Sequence, residues 1–140
     1  PEVGGVGVGP SATLAGMSVV SRWPHIVSST VEAADVGDDG LLRAAAVERL
    51  VAAATDGYLG LPVESVQARP GPTSVEAGGR LVVAVGASEL YDDHLVVEAR
   101  LGCEGGYAGS ARAVVRPTGG VTTALRGDLI ARAHAAAHVL

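Results

Sequence analysis

The stretch from residue 25 to residue 59 constrains the fold most. A strand-like alternation from His25 to Asp35 runs into an acidic, glycine-punctuated turn, which opens directly into a helical pattern from Leu41 to Leu59. Apolar residues in that pattern recur at i, i+3, i+4, i+7 and i+11, which is one face of an amphipathic helix. They are Val47, Leu50, Val51, Ala54 and Tyr58. We therefore predict one long helix with a buried stripe, and Asp38 or Asp39 as its N-cap.

The rest of the chain has the pattern of an antiparallel sheet. Three strands follow one another closely, and the connections between them are short enough for hairpins. They are predicted at Arg80–Ser88, His94–Cys103 and Tyr107–Arg116. Alternation in the middle strand predicts one dry and one wet face. A second helix is expected from Leu125 to His138, capped by Thr123 and either packed across the sheet edge or frayed.

The length favours a single domain, since 140 residues suffice to bury a core of ordinary size. Residues 1–16 are rich in glycine and are expected to form a flexible arm. Residues 17–140 are then expected to form the one domain, with a short strand at Met17–Arg22.

Composition and charge exclude several classes of partner. A net charge of -5 with no basic run argues against nucleic acid and against an anionic membrane surface. No apolar run approaches the roughly 20 residues of a membrane span, and the first residues do not resemble a signal peptide. Cys103 is the single cysteine, so no intramolecular disulfide can form. We expect a cytoplasmic protein, and the use of Arg for all basic residues indicates a high-GC, actinobacterial source.

The order of one strand, one long helix and a run of antiparallel strands resembles the hotdog fold, an α+β architecture in which a curved antiparallel sheet wraps a long central helix. Hotdog thioesterases of the 4-hydroxybenzoyl-CoA type carry Asp-x-Asp-x-x-Gly between strand and helix. The corresponding stretch here is Asp35-Val36-Gly37-Asp38-Asp39-Gly40. The first Asp and the Gly match, whereas the position of the family's catalytic Asp is occupied by Gly37.

A second resemblance concerns the helix. The stretch from Gly40 to Glu48, with the sheet pattern that follows, is similar to fluoroacetyl-CoA thioesterase and its relatives. Those enzymes use a Thr, a helix Glu and a His, and the helix Glu has its counterpart at Glu48. The Thr position falls on Gly40, and the His position falls near residues 70–72. The two resemblances together imply an acyl-CoA or acyl-carrier-protein substrate.

Thioester hydrolysis needs a carboxylate that activates water or attacks the carbonyl, and donors for the developing oxyanion. The candidate carboxylates are Glu48, Asp38, Asp39 and Asp35. A helix start offers free N–H groups, so the backbone from Gly40 to Ala44 is the candidate oxyanion hole. The residues expected to bind substrate are Gly40, Leu41, Leu42, Arg43, Ala44, Val47 and Val51. The acyl chain is expected in a slot formed by Ala44, Val47, Glu48 and Val51.

Each of these carboxylates also has a purely structural interpretation. Glu48 lies at the flank of the apolar stripe and would pair there with a neighbouring Arg. Asp35 would close the strand by accepting backbone hydrogen bonds. Asp38 and Asp39 would serve as turn and cap residues. Either one, however, could also replace the carboxylate missing at Gly37.

The arginines of the helix divide by helical phase. Arg43 lies near the helix start on the side of the stripe, and we expect it to contact a phosphate, a substrate carboxylate or Asp35. Arg49 points the opposite way, as expected of a solvent-facing residue.

No metal or other cofactor is expected. His134 and His138 are spaced i, i+4, but no acidic residue lies between them and no third ligand is evident. His94 follows Asp92 and Asp93, and the three form either a His–carboxylate pair or an ordinary hairpin turn.

The sequence thus predicts a thioesterase that acts on acyl-CoA or an acyl-carrier protein at the helix start and a subunit interface. A homodimer or homotetramer is expected, because exposed edge strands need a partner. Gly37 motivates the alternative, a non-catalytic hotdog protein that binds an acyl thioester or a protein partner. A dehydratase or hydratase of this fold would need a His beside a carboxylate on the long helix, and that helix pattern contains no His.

Overall fold

The computed structural model describes residues 23–137. The arm expected at residues 1–16, the strand expected at 17–22 and the last three residues lie outside the described residues. The described chain forms five strands and two α-helices. They are β1 (His25–Thr30), α1 (Ala44–Leu59), β2 (Ser65–Pro70), β3 (Arg80–Leu90), β4 (Leu95–Cys103), β5 (Gly106–Val115) and α2 (Thr123–Ala137).

The strands form one sheet in the order β1-β3-β4-β5-β2, and every neighbouring pair is antiparallel. Tight hairpins join β3 to β4 and β4 to β5, as the spacing predicted. Register shifts after Ala87 and after Leu101 interrupt the ladders, and such irregularities increase the local twist of a sheet. The long helix α1 packs on one face of this sheet. The predicted α+β hotdog architecture is therefore confirmed.

The core lies between α1 and the sheet. All five residues of the predicted stripe are buried, and Val47 and Val51 are 0% exposed. Alternate residues of the strands close the core from the other side, namely Leu81, Val83, Val85, Leu95, Val97, Ala99, Leu101, Ala111, Ala113 and Val115. Full burial of one such aliphatic side chain stabilises the fold by roughly 1.5–3 kcal/mol, so this interface holds α1 on the sheet.

The first strand is shorter than the sequence predicted. β1 ends at Thr30, whereas the apolar alternation continues to Asp35. The backbone of Val31 still bonds to Gly78 and Gly79, and the chain then enters a single 3-10 turn, Ala33–Asp35. Asp35 therefore reaches the interior from a turn and not from the end of a strand.

Both helix starts differ from the prediction. α1 begins at Ala44 with Arg43 as its N-cap, so the expected capping by Asp38 or Asp39 is wrong. The reason is a bridge between Val36 and Leu42, which closes the acidic stretch into a small loop and keeps the chain extended up to that point. At the start of α2, the Leu125 N–H donates a capping hydrogen bond of 3.1 Å to the hydroxyl of Thr122, and not to that of Thr123 as expected.

The second helix packs against the carboxyl end of α1. Leu129 is buried in the common core, and the guanidinium of Arg132 donates a 2.5 Å hydrogen bond to the carbonyl of Tyr58. Within residues 23–137 neither helix is long and apolar enough to cross a bilayer.

Candidate active site at the start of the long helix

The acidic loop before α1 is a tight excursion that returns on itself. The Gly37 N–H bonds to the Leu41 carbonyl at 2.8 Å, and the Arg43 N–H bonds to the Asp35 carbonyl at 2.8 Å. At its tip Gly40 has φ 80°, a left-handed conformation that favours glycine. The loop from residue 36 to residue 43, here called the acidic loop, is thus closed by backbone bonds at its base.

The side chain of Asp39 bonds back to the backbone of this loop. Its Oδ1 accepts a hydrogen bond from the Leu41 N–H at 3.0 Å, the local pattern typical of an aspartate in a turn. A Cβ built on Gly37 would lie 2.9 Å from that same Oδ1. The carboxylate of Asp39 therefore occupies space next to the position where the resemblance places a catalytic Asp. Both Asp38 and Asp39 are exposed.

The first turn of α1 presents free donors. Ala44 and Ala45 are exposed, and their N–H groups find no acceptor in the described part of the chain. In the predicted oxyanion hole, by contrast, the amides of Gly40 and Leu41 are already bonded within the loop, and that of Arg43 is bonded to the Asp35 carbonyl. The available donors thus lie at the end of the predicted stretch and one residue beyond it.

Glu48 is an exposed carboxylate on the same side of α1 as these donors. It follows Ala44 by four residues, and that spacing puts both on one helix face. Within residues 23–137 its carboxylate makes no hydrogen bond or ion pair, so the arginine partner of the structural interpretation is not observed. A carboxylate without a partner is free to bind water or substrate.

Asp35 is the one predicted carboxylate that is buried. It is 3% exposed and accepts hydrogen bonds from Arg49 Nη2 at 2.9 Å and from the Glu32 N–H at 3.0 Å. Burial raises the pKa of the Asp35 carboxyl, but these hydrogen bonds and the charge of Arg49 outweigh burial and hold the pKa below its ordinary value. Asp35 thus accepts a backbone hydrogen bond, as its structural interpretation expected, but it does so in a 3-10 turn and not at a strand end, and its second donor is an arginine.

The sequence missed the role of Arg49. Its helical phase predicts a solvent-facing residue, and the side chain is indeed 51% exposed, but its guanidinium bonds to the buried Asp35. Asp35 was one of the three contacts expected for Arg43, beside a phosphate and a substrate carboxylate. Arg43 is exposed, and among the described residues its guanidinium pairs with no carboxylate. The sequence did predict that Asp35 faces the interior, and a buried carboxylate indicates a cationic partner nearby. It does not show which arginine is that partner.

The predicted substrate-binding residues fall into two groups. Leu42, Val47 and Val51 are buried in the core, whereas Arg43 and Ala44 are exposed and Gly40 and Leu41 are partly exposed. In a single chain the predicted acyl slot is therefore closed, because Val47 and Val51 are fully covered by the core while Ala44 and Glu48 face outward.

Outside this region, the predicted His–carboxylate pair is present in the turn between β3 and β4. His94 Nδ1 lies 2.7 Å from Asp93 Oδ1, so the hairpin turn and the pair coexist. In residues 23–137 no group of three or more His, Cys, Asp or Glu side chains could hold a metal ion. His138 lies outside the described residues.

Comparison with known proteins finds similar structures but no similar sequences. No family model and no curated protein matches the sequence. A thioesterase from Thermus thermophilus, solved with coenzyme A and Zn, superposes with a TM-score of 0.69 at 18% identity, over 81% of this chain and 96% of that one. A gentisyl-coenzyme A thioesterase superposes with a TM-score of 0.65 at 11% identity, over 75% and 98%.

A third solved structure is a 1,4-dihydroxy-2-naphthoyl-CoA thioesterase from Synechocystis. It superposes with a TM-score of 0.56 at 12% identity, over 66% of this chain and 80% of that one. At such identities the agreement concerns the course of the backbone. The chain therefore has the hotdog fold, which it shares with these solved thioesterases.

Proposed function

We propose that this protein is a thioesterase that hydrolyses acyl-CoA or an acyl-carrier-protein thioester at the start of α1. The observation that carries the proposal is an exposed, unpaired carboxylate, Glu48, about one helical turn after Ala44, whose N–H group is free in the described chain. The shared fold with three solved enzymes named as CoA thioesterases or thioesterases supports the same reaction class.

The proposed chemistry uses both features. The Glu48 carboxylate takes a proton from water as the water oxygen attacks the thioester carbonyl carbon. The N–H groups of Ala44 and Ala45 donate to the oxyanion of the tetrahedral intermediate, which the positive end of the helix dipole also favours. The intermediate then collapses, the carbon–sulfur bond breaks, and the protonated Glu48 returns its proton to the leaving thiolate.

Asp39 is the second candidate for the base, and a specific contact favours it. Its Oδ1 would lie 2.9 Å from a Cβ at Gly37, so it fills space next to the family's carboxylate position. A transfer variant tests this role. If Asp39 is the base, Asp39→Asn abolishes turnover, and the double change Gly37→Asp with Asp39→Gly restores part of it.

The proposed site is completed by a second copy of the chain. The sheet ends in two edge strands, β1 and β2, and exposed edges favour pairing with another chain. Arg43, Ala44 and Glu48 are exposed in one chain, and a partner would cover them and close the acyl slot above Val47 and Val51. Sedimentation velocity should therefore show a dimer or a tetramer, and a monomer at all concentrations would contradict this part.

A non-catalytic protein that binds an acyl thioester or a protein partner is the alternative. The observation in its favour is Gly37, which leaves the family's catalytic position without a side chain. The experiment is free-thiol release from short-, medium-, long-chain and aromatic acyl-CoAs, with thermal unfolding of the same samples. Thiol release supports the hydrolase. If no thiol is released but acyl-CoA raises the Tm, the result supports the binding protein. If acyl-CoA causes neither thiol release nor a higher Tm, both hypotheses are refuted.

A further inference from the structure

The buried ion pair behind the candidate site connects two parts of the chain. Asp35 ends the 3-10 turn before the acidic loop, whereas Arg49 lies in the second turn of α1, fourteen residues later. The Asp35 carboxylate is 3% exposed and has two donors, the Arg49 guanidinium and the Glu32 N–H. In the described chain, Asp35 and Thr55 are the two buried polar residues, and Asp35 is the charged one.

Asp35 also holds the far end of the acidic loop. Its carbonyl accepts the N–H of Arg43, the N-cap residue of α1, at 2.8 Å. The carboxylate of the same residue accepts the guanidinium of Arg49 at 2.9 Å. One residue therefore fixes the loop to α1 twice, once at the helix start and once a turn and a half further on.

We propose that Arg49 is a positioning residue for the candidate site. Through Asp35 it holds the acidic loop and the start of α1 in place, so that Asp39 and the free amides of the first turn keep one placement relative to Glu48. Arg49 lies about 100° around the helix axis from Glu48, so it acts through Asp35 and not on substrate. This role rests on the proposed function, because positioning matters where reacting groups must meet; displacement by about 1 Å can cost about 100-fold in rate.

The test compares Arg49→Met, Arg49→Lys and the matched control Arg112→Met. Arg112 is half exposed, holds two carboxylates and lies on the sheet face opposite α1. With the acyl-CoA that wild type hydrolyses fastest, we expect Arg49→Met to lower kcat by about 10-fold or more while KM changes by less than about 2-fold. Arg49→Lys should recover part of the loss, since an ammonium still donates to Asp35. Arg112→Met should leave both constants near wild type.

A second readout needs no turnover. In Arg49→Met, amide hydrogen exchange should accelerate more at Gly37 and Arg43 than at the core amides of β3 and β4, because the bonds that close the loop open locally and not only by global unfolding; in Arg112→Met no such difference should arise. If wild type releases no thiol, the proposed function fails and this readout alone decides the positioning role. Unchanged loop exchange in Arg49→Met overturns the proposal, as does a loss confined to KM or equal losses in Arg49→Met and Arg112→Met.

Discussion

Two arginines of nearly equal exposure hold carboxylates in two different regions of the molecule. Arg49 is 51% exposed and binds Asp35 beside α1 at 2.9 Å. Arg112 is 47% exposed and binds Glu89 and Glu98 at 2.7 and 2.6 Å, on the sheet face turned away from α1. The contacts of Arg112 are shorter, but its partners are 37% and 36% exposed, whereas Asp35 is 3% exposed.

The difference shows that the distance between the charged atoms does not tell which ion pair contributes more to stability. A carboxylate near the surface returns to water when its partner is removed, and exposed pairs are worth little for that reason. The carboxylate of Asp35 has no such access, so removal of Arg49 leaves a buried charge with one backbone donor. Burial of the acceptor therefore decides which arginine the fold depends on.

The largest expected effect is a difference in stability between two matched variants. Arg49→Met should lower the free energy of unfolding by about 3 kcal/mol, the lower end of the range for a broken buried pair, because Arg49 is itself half exposed. Arg112→Met should lower it by less than about 1 kcal/mol. Urea unfolding at neutral pH measures both. Equal losses would show that burial of the carboxylate does not distinguish the two regions.

A smaller effect is expected in acid. The Asp35 pKa is held below its ordinary value in the fold, so the unfolded chain takes up the proton first as pH falls. The stability that Asp35 contributes is thus present above the unfolded pKa of about 3.9 and is lost below it. The pKa of Glu89 is also lowered, by hydrogen bonds from Tyr91 and Arg112, but water screens this carboxyl. The free energy of unfolding, measured in urea between about pH 6 and pH 3, should fall with pH in wild type. This fall should be reduced more by Asp35→Asn than by Glu89→Gln.

The smallest effect is expected from salt. Raising NaCl to about 1 M shortens the screening length to about 3 Å and weakens exposed pairs more than buried ones. The stability difference between wild type and Arg112→Met should therefore shrink by a few tenths of a kcal/mol, within the small worth of an exposed pair. The difference for Arg49→Met should persist. If salt reduced both equally, Asp35 would be more accessible to ions than its burial indicates.

The sequence predicted those features of the fold that repeat with a fixed period. The stripe from Val47 to Tyr58 is buried as expected, since five residues at helical spacing leave one consistent face. The three hairpin-linked strands lie within a few residues of their predicted bounds. Such features depend on local pattern and on burial of one face, and both can be read from a single chain.

Specific contacts that no periodic pattern encodes could not be predicted in the same way. The start of α1 depends on the bridge between Val36 and Leu42, which no local capping signal reveals. The partner of Asp35 depends on how α1 lies against the 3-10 turn, so helical phase alone assigned Arg49 to solvent. The candidate site shares this limit, because the sequence named Asp39 and Glu48 but did not show that one fills the space beside Gly37 and the other has no partner in the described chain.

The most direct test of the proposed function is steady-state thiol release by wild type and Glu48→Gln with the best acyl-CoA of the panel. Because Glu48 is exposed and unpaired in the described chain, the variant should keep its stability within about 0.5 kcal/mol. We expect kcat to fall about 100-fold or more, the usual loss when a general base is removed. Unchanged kcat in a folded Glu48→Gln protein would contradict the role of Glu48 and leave Asp39 to carry the chemistry.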